Sequence, residues 1–234
     1  MLLKVCGATS RDDTALLAEA GVDLIGLWHG VPGGPADLSP RRFAALARRC
    51  RTVAVPADRA APEPVLVTFL RDPAAIGGAA RAAGVQWLQL HGYQPPGVVA
   101  AIKRRWPETT VVKVLHVAGD ACVERPLLAS YQRAGTDLFL FDAIGEGGQV
   151  GSTGLSLDPD VVIDLAEATR LPFLVAGGLS AANRSRYEKV AAHPRFAGAD
   201  VDTAARDLTG AFCAESVGSI RRHWSAAPDM EEVG

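Results

Sequence analysis

Three stretches repeat one plan: EAGVDLIGL at residues 19–27, AAGVQWLQL at 82–90 and RAGTDLFLF at 133–141. In each, a helical run closes at a glycine, and an apolar run opens after two intervening residues. Glycine adopts the left-handed backbone that ends a helix without a steric penalty. The apolar run is short and lacks polar alternation. That suits a strand buried on both faces, and so a parallel sheet flanked by helices.

Working outward, the same alternation covers the chain. The predicted strands are Leu2–Cys6, Leu24–Trp28, Val65–Leu70, Trp87–Leu90, Val111–Leu115, Leu138–Asp142, Phe173–Ala176 and Ala199–Val201. The predicted helices are Asp12–Ala20, Pro40–Arg49, Asp72–Ala83, Pro96–Arg105, Cys122–Ala134, Pro159–Ala168, Ala181–Ala192 and Phe212–Trp224. Eight β-then-α units favour a closed (β/α)8 TIM barrel over an open doubly wound sheet. Residues 1–224 are expected to form one barrel domain and 225–234 a frayed tail. Arg51–Pro64, with TVAVP followed by ADRAAPEP, reads either as an insertion before the third strand or as that strand itself.

The bulk numbers exclude several classes. The 234 residues suit one large α/β domain; 48% are hydrophobic and 21% charged, and the net charge is −2. No global basic field gathers nucleic acid or anionic lipid. No apolar run approaches the roughly 20 residues that span a bilayer, and MLLKVCGATSRDD reaches charge too early for a signal peptide. Cys6, Cys50, Cys122 and Cys213 are scattered, forming neither a disulfide framework nor a zinc set. Reduced thiols and a cytoplasmic setting are expected. No G-x-G-x-x-G motif follows a strand to signal a nicotinamide or flavin.

In this fold the chemistry sits at the C-terminal ends of the strands. The first ends in KVCG. Cys6 is either a small buried hydrophobe or, with a lowered pKa, a general base or nucleophile. Gly7 beside it allows close approach. The fourth ends in QLHG, where His91 either polarises a substrate oxygen or is structural. The sixth ends in FLFDA, making Asp142 either a cap or an acid beside apolar walls. Three segments suit a phosphate. GEGGQVGSTG, 145–154, is glycine-rich and ends in Ser152, Thr153 and Gly154. VAGGLSAAN, 175–183, places Gly177 and Gly178 before a helix start. ADVDTAA, 199–205, places Asp202 and Thr203 before the last helix.

Together KVCGATSRDD, EAGVDLIGLW, VQWLQLHG, LFLFDA, GSTG, VAGGLSAAN and GADVD resemble the phosphoribosylanthranilate isomerase family, from KVCG to about Gly210. The resemblance implies an Amadori rearrangement of a small phosphorylated N-ribosyl amine, as in tryptophan biosynthesis. It implies Asp142 as general acid and Cys6 as general base, with no metal or redox cofactor. Gly7, His91, Ser152, Thr153, Gly154, Gly177, Gly178, Asp202 and Thr203 would bind substrate. The assembly would be a monomer or a homodimer. Two departures stand out. Ala36 occupies the place of an arginine that faces the anthranilate carboxylate; Arg41, Arg42 and Arg184 are the replacement cations to consider. The last strand continues as DTAAR, putting Asp202 where a serine is usual. Those departures keep open a barrel repurposed for another N-glycoside, or a non-catalytic phospho-ligand-binding barrel.

Overall fold

The computed structural model describes residues 1–145 and 155–225. Among them eight strands run parallel: β1 (Leu2–Cys6), β2 (Leu24–Trp28), β3 (Glu63–Thr68), β4 (Trp87–Leu90), β5 (Thr110–Ala118), β7 (Leu138–Ala143), β8 (Phe173–Val175) and β9 (Phe196–Val201). β1 pairs with both β2 and β9, and β4 pairs with β5, so the sheet closes into a TIM barrel. A two-residue strand, β6 (Ala121–Cys122), folds back antiparallel on the end of β5. The helices outside are α1 (Arg11–Glu19), α2 (Pro40–Thr52), α3 (Pro73–Ala83), α4 (Pro96–Arg105), α5 (Leu128–Ala134), α6 (Pro159–Glu167), α7 (Glu188–Ala191) and α8 (Ala214–Ser225). No described helix is long and apolar enough to cross a membrane.

Local chemistry starts and stops these elements where the sequence signals it. Ser10 caps α1 in a capping box, its hydroxyl accepting from the Asp13 N–H while Asp13 accepts from the Ser10 N–H. Asp72 and Asp158 cap helices whose first residue is proline. Gly84 and Gly135 close α3 and α5 in the left-handed region, with φ of 67° and 97°. The aspartate in the repeated Gly-x-Asp-Leu phrase has its own task. Asp23 accepts the Leu3 N–H at 2.7 Å and Asp137 accepts the Val111 N–H at 2.7 Å, each tying its strand to the preceding barrel strand.

Side chains alternate across the barrel wall. Leu3, Val5, Ile25 and Leu27 pack outward against the helices, whereas Cys6, Leu24, Val65 and Val67 form one interior cluster and Val112, Val114, Leu138, Leu140 and Leu174 another. Burial on both faces is why the strands read as continuous apolar runs.

Several expected boundaries shift. The third strand is Glu63–Thr68, so Arg51–Pro64 is not that strand: it ends α2 and then crosses at the N-terminal face of the barrel, where Arg59 donates to the Glu19 carbonyl. The fifth strand runs on to Ala118, and the last begins at Phe196. The helix expected over Cys122–Ala134 starts only at Leu128, because Gly119 (φ 60°) turns the chain into the β5–β6 hairpin and Pro126 lies in a 3-10 turn. Ala181–Ala192 is not one helix. Asn183 bonds back to Gly178 O and Ser180 N, a 3-10 turn follows over Arg184–Tyr187, and α7 has four residues. The last helix begins at Ala214 rather than Phe212.

Candidate active site

The C-terminal ends of the strands surround a cleft that opens to solvent. Its walls hold Cys6 from β1, Trp28 from β2, His91 after β4, Asp142 from β7, Gly177 and Gly178 after β8, and Asp200 of β9 with Asp202 and Thr203 beyond it. Strand period places these groups together. Cys6, Trp28, Asp142 and Asp200 each occupy the inward-facing parity of their strand. Cys6, His91 and Asp142 are all at most 8% exposed.

The thiol has crowded surroundings. Trp28 Nε1–H donates to Cys6 Sγ at 3.0 Å. Lys4, two residues earlier on the same face, donates to both carboxylate oxygens of Asp200 at 2.8 and 2.9 Å. Gly26 makes room for both groups: a Cβ there would lie 2.7 Å from Cys6 Sγ and 3.1 Å from Lys4 Nζ. Burial pushes the thiol up to about 11, against the pull of the Lys4 charge; Asp200 and Asp202 push the same way as burial, and the Trp28 bond opposes them. The lowered thiol expected for a base is therefore not what this cavity produces at rest. Burial works to lower Lys4, but Asp200 and the thiol hold it above its usual value. Burial also raises the Asp200 carboxyl, with the Asp142 charge adding to it.

Across the cleft, His91 Nε2 lies 3.2 Å from Asp142 Oδ2, in ion-pair range though not aligned as a hydrogen bond. The Gln89 side-chain amide donates to His91 Nδ1 at 3.2 Å, which leaves the ring proton on Nε2, facing Asp142. The main chain of this turn is clamped from β5. His116 Nε2 donates to the His91 carbonyl at 2.9 Å, and Lys113 donates to Gly92 O at 2.8 Å and Leu90 O at 3.4 Å. Glu124 supports both side chains, with an oxygen 2.6 Å from His116 Nδ1 and 3.7 Å from Lys113 Nζ. Burial pushes Lys113 down to about 8. Burial works to raise Glu124, but His116 and Lys113 hold it below the usual carboxylate range.

The rim beyond β8 and β9 differs from expectation. Gly177 and Gly178 have φ of 85° and 57° and lie in the wall, but a 3-10 turn rather than a regular helix follows them, so this turn does not supply the expected helix N-terminus. Asp202 and Thr203 open a three-residue 3-10 turn instead of the last helix. Asp202 accepts from Arg206 Nε at 2.7 Å, and the same guanidinium donates to Gly7 O and Gly210 O and lies 3.8 Å from the centre of the Phe212 ring. Gly7 (φ 87°) faces this arginine rather than the cleft: a Cβ there would lie 3.0 Å from Arg206 Nη2. Ala36 is buried and outside the cleft lining. Arg42 donates to Thr9 O, Arg184 stacks on Trp224, and Arg41 is exposed; none of the three lines the cleft. Ser152, Thr153 and Gly154 lie outside the described residues.

Sequence reading passed over Lys4, Trp28, Asp200 and Arg206. Period-2 spacing from Cys6 and Asp202 could have found Lys4 and Asp200. Trp28 closes a strand but reads as core, and nothing local marks Arg206.

Residues 4–205 match the profile of the N-(5'-phosphoribosyl)anthranilate (PRA) isomerase family. A relative from Afipia carboxidovorans, an N-(5'-phosphoribosyl)anthranilate isomerase, is 30% identical over 227 residues, covering 97% of this chain and 90% of its own. The phosphoribosyl anthranilate isomerase structure from Thermus thermophilus superposes with a TM-score of 0.74 at 23% identity, covering 95% of this chain and 98% of that one. Another isomerase of this type, solved with reduced 1-(o-carboxyphenylamino)-1-deoxyribulose 5-phosphate, superposes with a TM-score of 0.71 at 20% identity, covering 96% of this chain and 98% of its own. With a profile match over most of its length and a relative aligned almost end to end, this chain belongs to the N-(5'-phosphoribosyl)anthranilate isomerase family.

Proposed function

We propose that this chain catalyses the Amadori rearrangement of N-(5-phosphoribosyl)anthranilate to 1-(o-carboxyphenylamino)-1-deoxyribulose 5-phosphate, as in tryptophan biosynthesis. The observation that carries the reading is the meeting of Cys6 and Asp142 in one cleft, from β1 and β7, with His91 against the carboxylate. The ligand bound by the family member described above supports the substrate.

Asp142 gives a proton to the furanose ring oxygen. The C1′–O bond breaks and the nitrogen lone pair forms the C1′=N Schiff base. That iminium acidifies the C2′ proton, which the Cys6 thiolate removes. The C2′–H electrons form the C1′=C2′ enolamine and neutralise nitrogen. Tautomerisation places a proton on C1′ and leaves the C2′ ketone, so no atom is gained or lost. A well-placed acid or base each contributes about 10²–10⁴-fold. His91 beside Asp142 orients its carboxyl, and the Lys4–Asp200 pair holds a cation near the sulfur. The backbone amides around Gly177, Gly178 and Thr203 are the proposed phosphate seat. Anchoring the phosphate lets remote binding energy position C2′ over the sulfur.

One observation favours a second reading, a barrel acting on a different N-glycoside phosphate. Asp142, Asp200 and Asp202 line the cleft, while no Lys or Arg does among the described lining residues, so an anionic amine portion meets no cation. Either way the partner is a small phosphorylated sugar compound. The four free cysteines support a cytoplasmic setting, and a monomer or homodimer is proposed. The test is loss of phosphoribosylanthranilate fluorescence. Wild type should consume it; Cys6→Ala and Asp142→Ala should each slow it at least 10³-fold. Wild-type turnover that survives both substitutions refutes the assignment.

A further inference from the structure

Trp28 has an unusual post. It ends β2 on the inward face, lines the cleft, and donates its indole N–H to Cys6 Sγ at 3.0 Å. An indole nitrogen is a donor only. The bond therefore occupies a sulfur lone pair and leaves the S–H free to point elsewhere. When the sulfur ionises, the same bond becomes charge-assisted, and such bonds are roughly twice as strong as neutral ones.

The donor is also held in place. The Trp28 carbonyl accepts from the Leu38 N–H at 2.9 Å, and the intervening loop folds over the ring. Gly34 makes that contact possible, since a Cβ there would lie 3.1 Å from Trp28 Cε3. A donor fixed before the charge develops needs no reorganisation when it does.

The charged groups around the sulfur set the need for such a donor. Lys4 approaches from β1; Asp200 and Asp202 belong to β9 and the turn after it; His91 and Asp142 face it across the cleft; Arg206 binds the Gly7 carbonyl next door. Burial and the two aspartates oppose an anion here, and Lys4 and Trp28 favour it. Lys4 is already engaged by both oxygens of Asp200. The Trp28 N–H is the contact to sulfur that no carboxylate shares.

We propose that Trp28 is a further catalytic residue: its N–H stabilises the Cys6 sulfur when it ionises to a thiolate and leaves another lone pair directed at the C2′ proton. The catalytic part of this rests on the isomerase assignment above; the effect on the thiol does not. With burial pushing the thiol up to about 11, little of the sulfur is ionised near neutral pH, so a contact that favours the thiolate raises the reactive fraction.

Two replacements separate the N–H from the ring. Trp28→Phe removes both the donor and part of the volume. Site-specific 3-benzothienylalanine at position 28 keeps the bicyclic shape and replaces the N–H by a ring sulfur that cannot donate. The first measurement is the rate of iodoacetamide alkylation at residue 6 against pH, read by peptide mass spectrometry in full-length protein. The second is the pH profile of kcat/KM with phosphoribosylanthranilate. Both replacements should slow alkylation at pH 8 by about tenfold and move the rising limb of kcat/KM about one pH unit higher. Wild-type alkylation and an unmoved limb with the benzothienyl side chain would overturn the proposal and reduce Trp28 to packing. Wild type inert toward the substrate, with alkylation still slowed by both replacements, overturns the isomerase assignment and the catalytic role together, leaving the hydrogen bond alone.

Discussion

Replacing Asp200 with asparagine removes one half of a buried ion pair and leaves the other half stranded. The Lys4 side chain is 1% exposed and that of Asp200 7%, and two hydrogen bonds of 2.8 and 2.9 Å join them. Breaking a buried pair by deleting one partner costs about 3–5 kcal/mol, whereas replacing both by apolar groups of similar volume is often close to neutral. Asp200→Asn should therefore lose about 3–5 kcal/mol, roughly a fifth or more of a typical domain's stability. Lys4→Met/Asp200→Leu should recover most of that loss. The variant lysine, with burial no longer opposed by Asp200, should fall below its usual pKa. In wild type Lys4 is held above 10.5, so its contribution is complete below that pH and lost only as pH rises through the folded value. The assay is urea denaturation followed by tryptophan fluorescence at pH 7 and pH 9. A single-variant loss below about 1 kcal/mol, or a double variant as unstable as the sum of its singles, refutes the reasoning.

Gly26→Ala puts a methyl 2.7 Å from Cys6 Sγ, which must displace the thiol; kcat should fall at least 10²-fold in the steady-state assay, with a stability cost of about 1–3 kcal/mol in urea. Glu124 is held below its unfolded value, so its contribution is present above about pH 4.5 and lost as pH falls through the folded value; Glu124→Gln should flatten that part of the urea midpoint against pH. Arg206→Met deprives Asp202 of its 2.7 Å contact with the guanidinium at the proposed phosphate rim; KM should rise about tenfold while kcat changes less, and an unchanged KM would place the phosphate elsewhere. An N-phosphoribosyl aniline, lacking the carboxylate, should be rearranged within about threefold of the anthranilate compound by chromatographic assay, because no described lining residue offers that carboxylate a cation.

The sequence by itself determined the barrel. Period and punctuation are local properties: Gly21, Gly84 and Gly135 end helices because of their own backbone freedom, and apolar runs bury on both faces wherever they pair. The strand ends carrying Cys6, His91 and Asp142 were legible for the same reason, since the fold dictates which end of each strand meets substrate. Where neighbours compete with propensity, the reading failed. Ala181–Ala192 has helical composition, yet Asn183 ties the chain back to Gly178; the fifth helix starts late because Gly119 turns the chain into the β5–β6 hairpin, beyond which Glu124 reaches in to His116. What only the tertiary structure decided is the electrostatics of the cleft. Lys4 and Asp200 are 196 positions apart, and Asp202, Arg206 and Gly7 come together only when β9 closes on β1. A charge takes its energy from the surrounding dielectric and from nearby charges, and those are set by closure of the barrel, not by order along the chain.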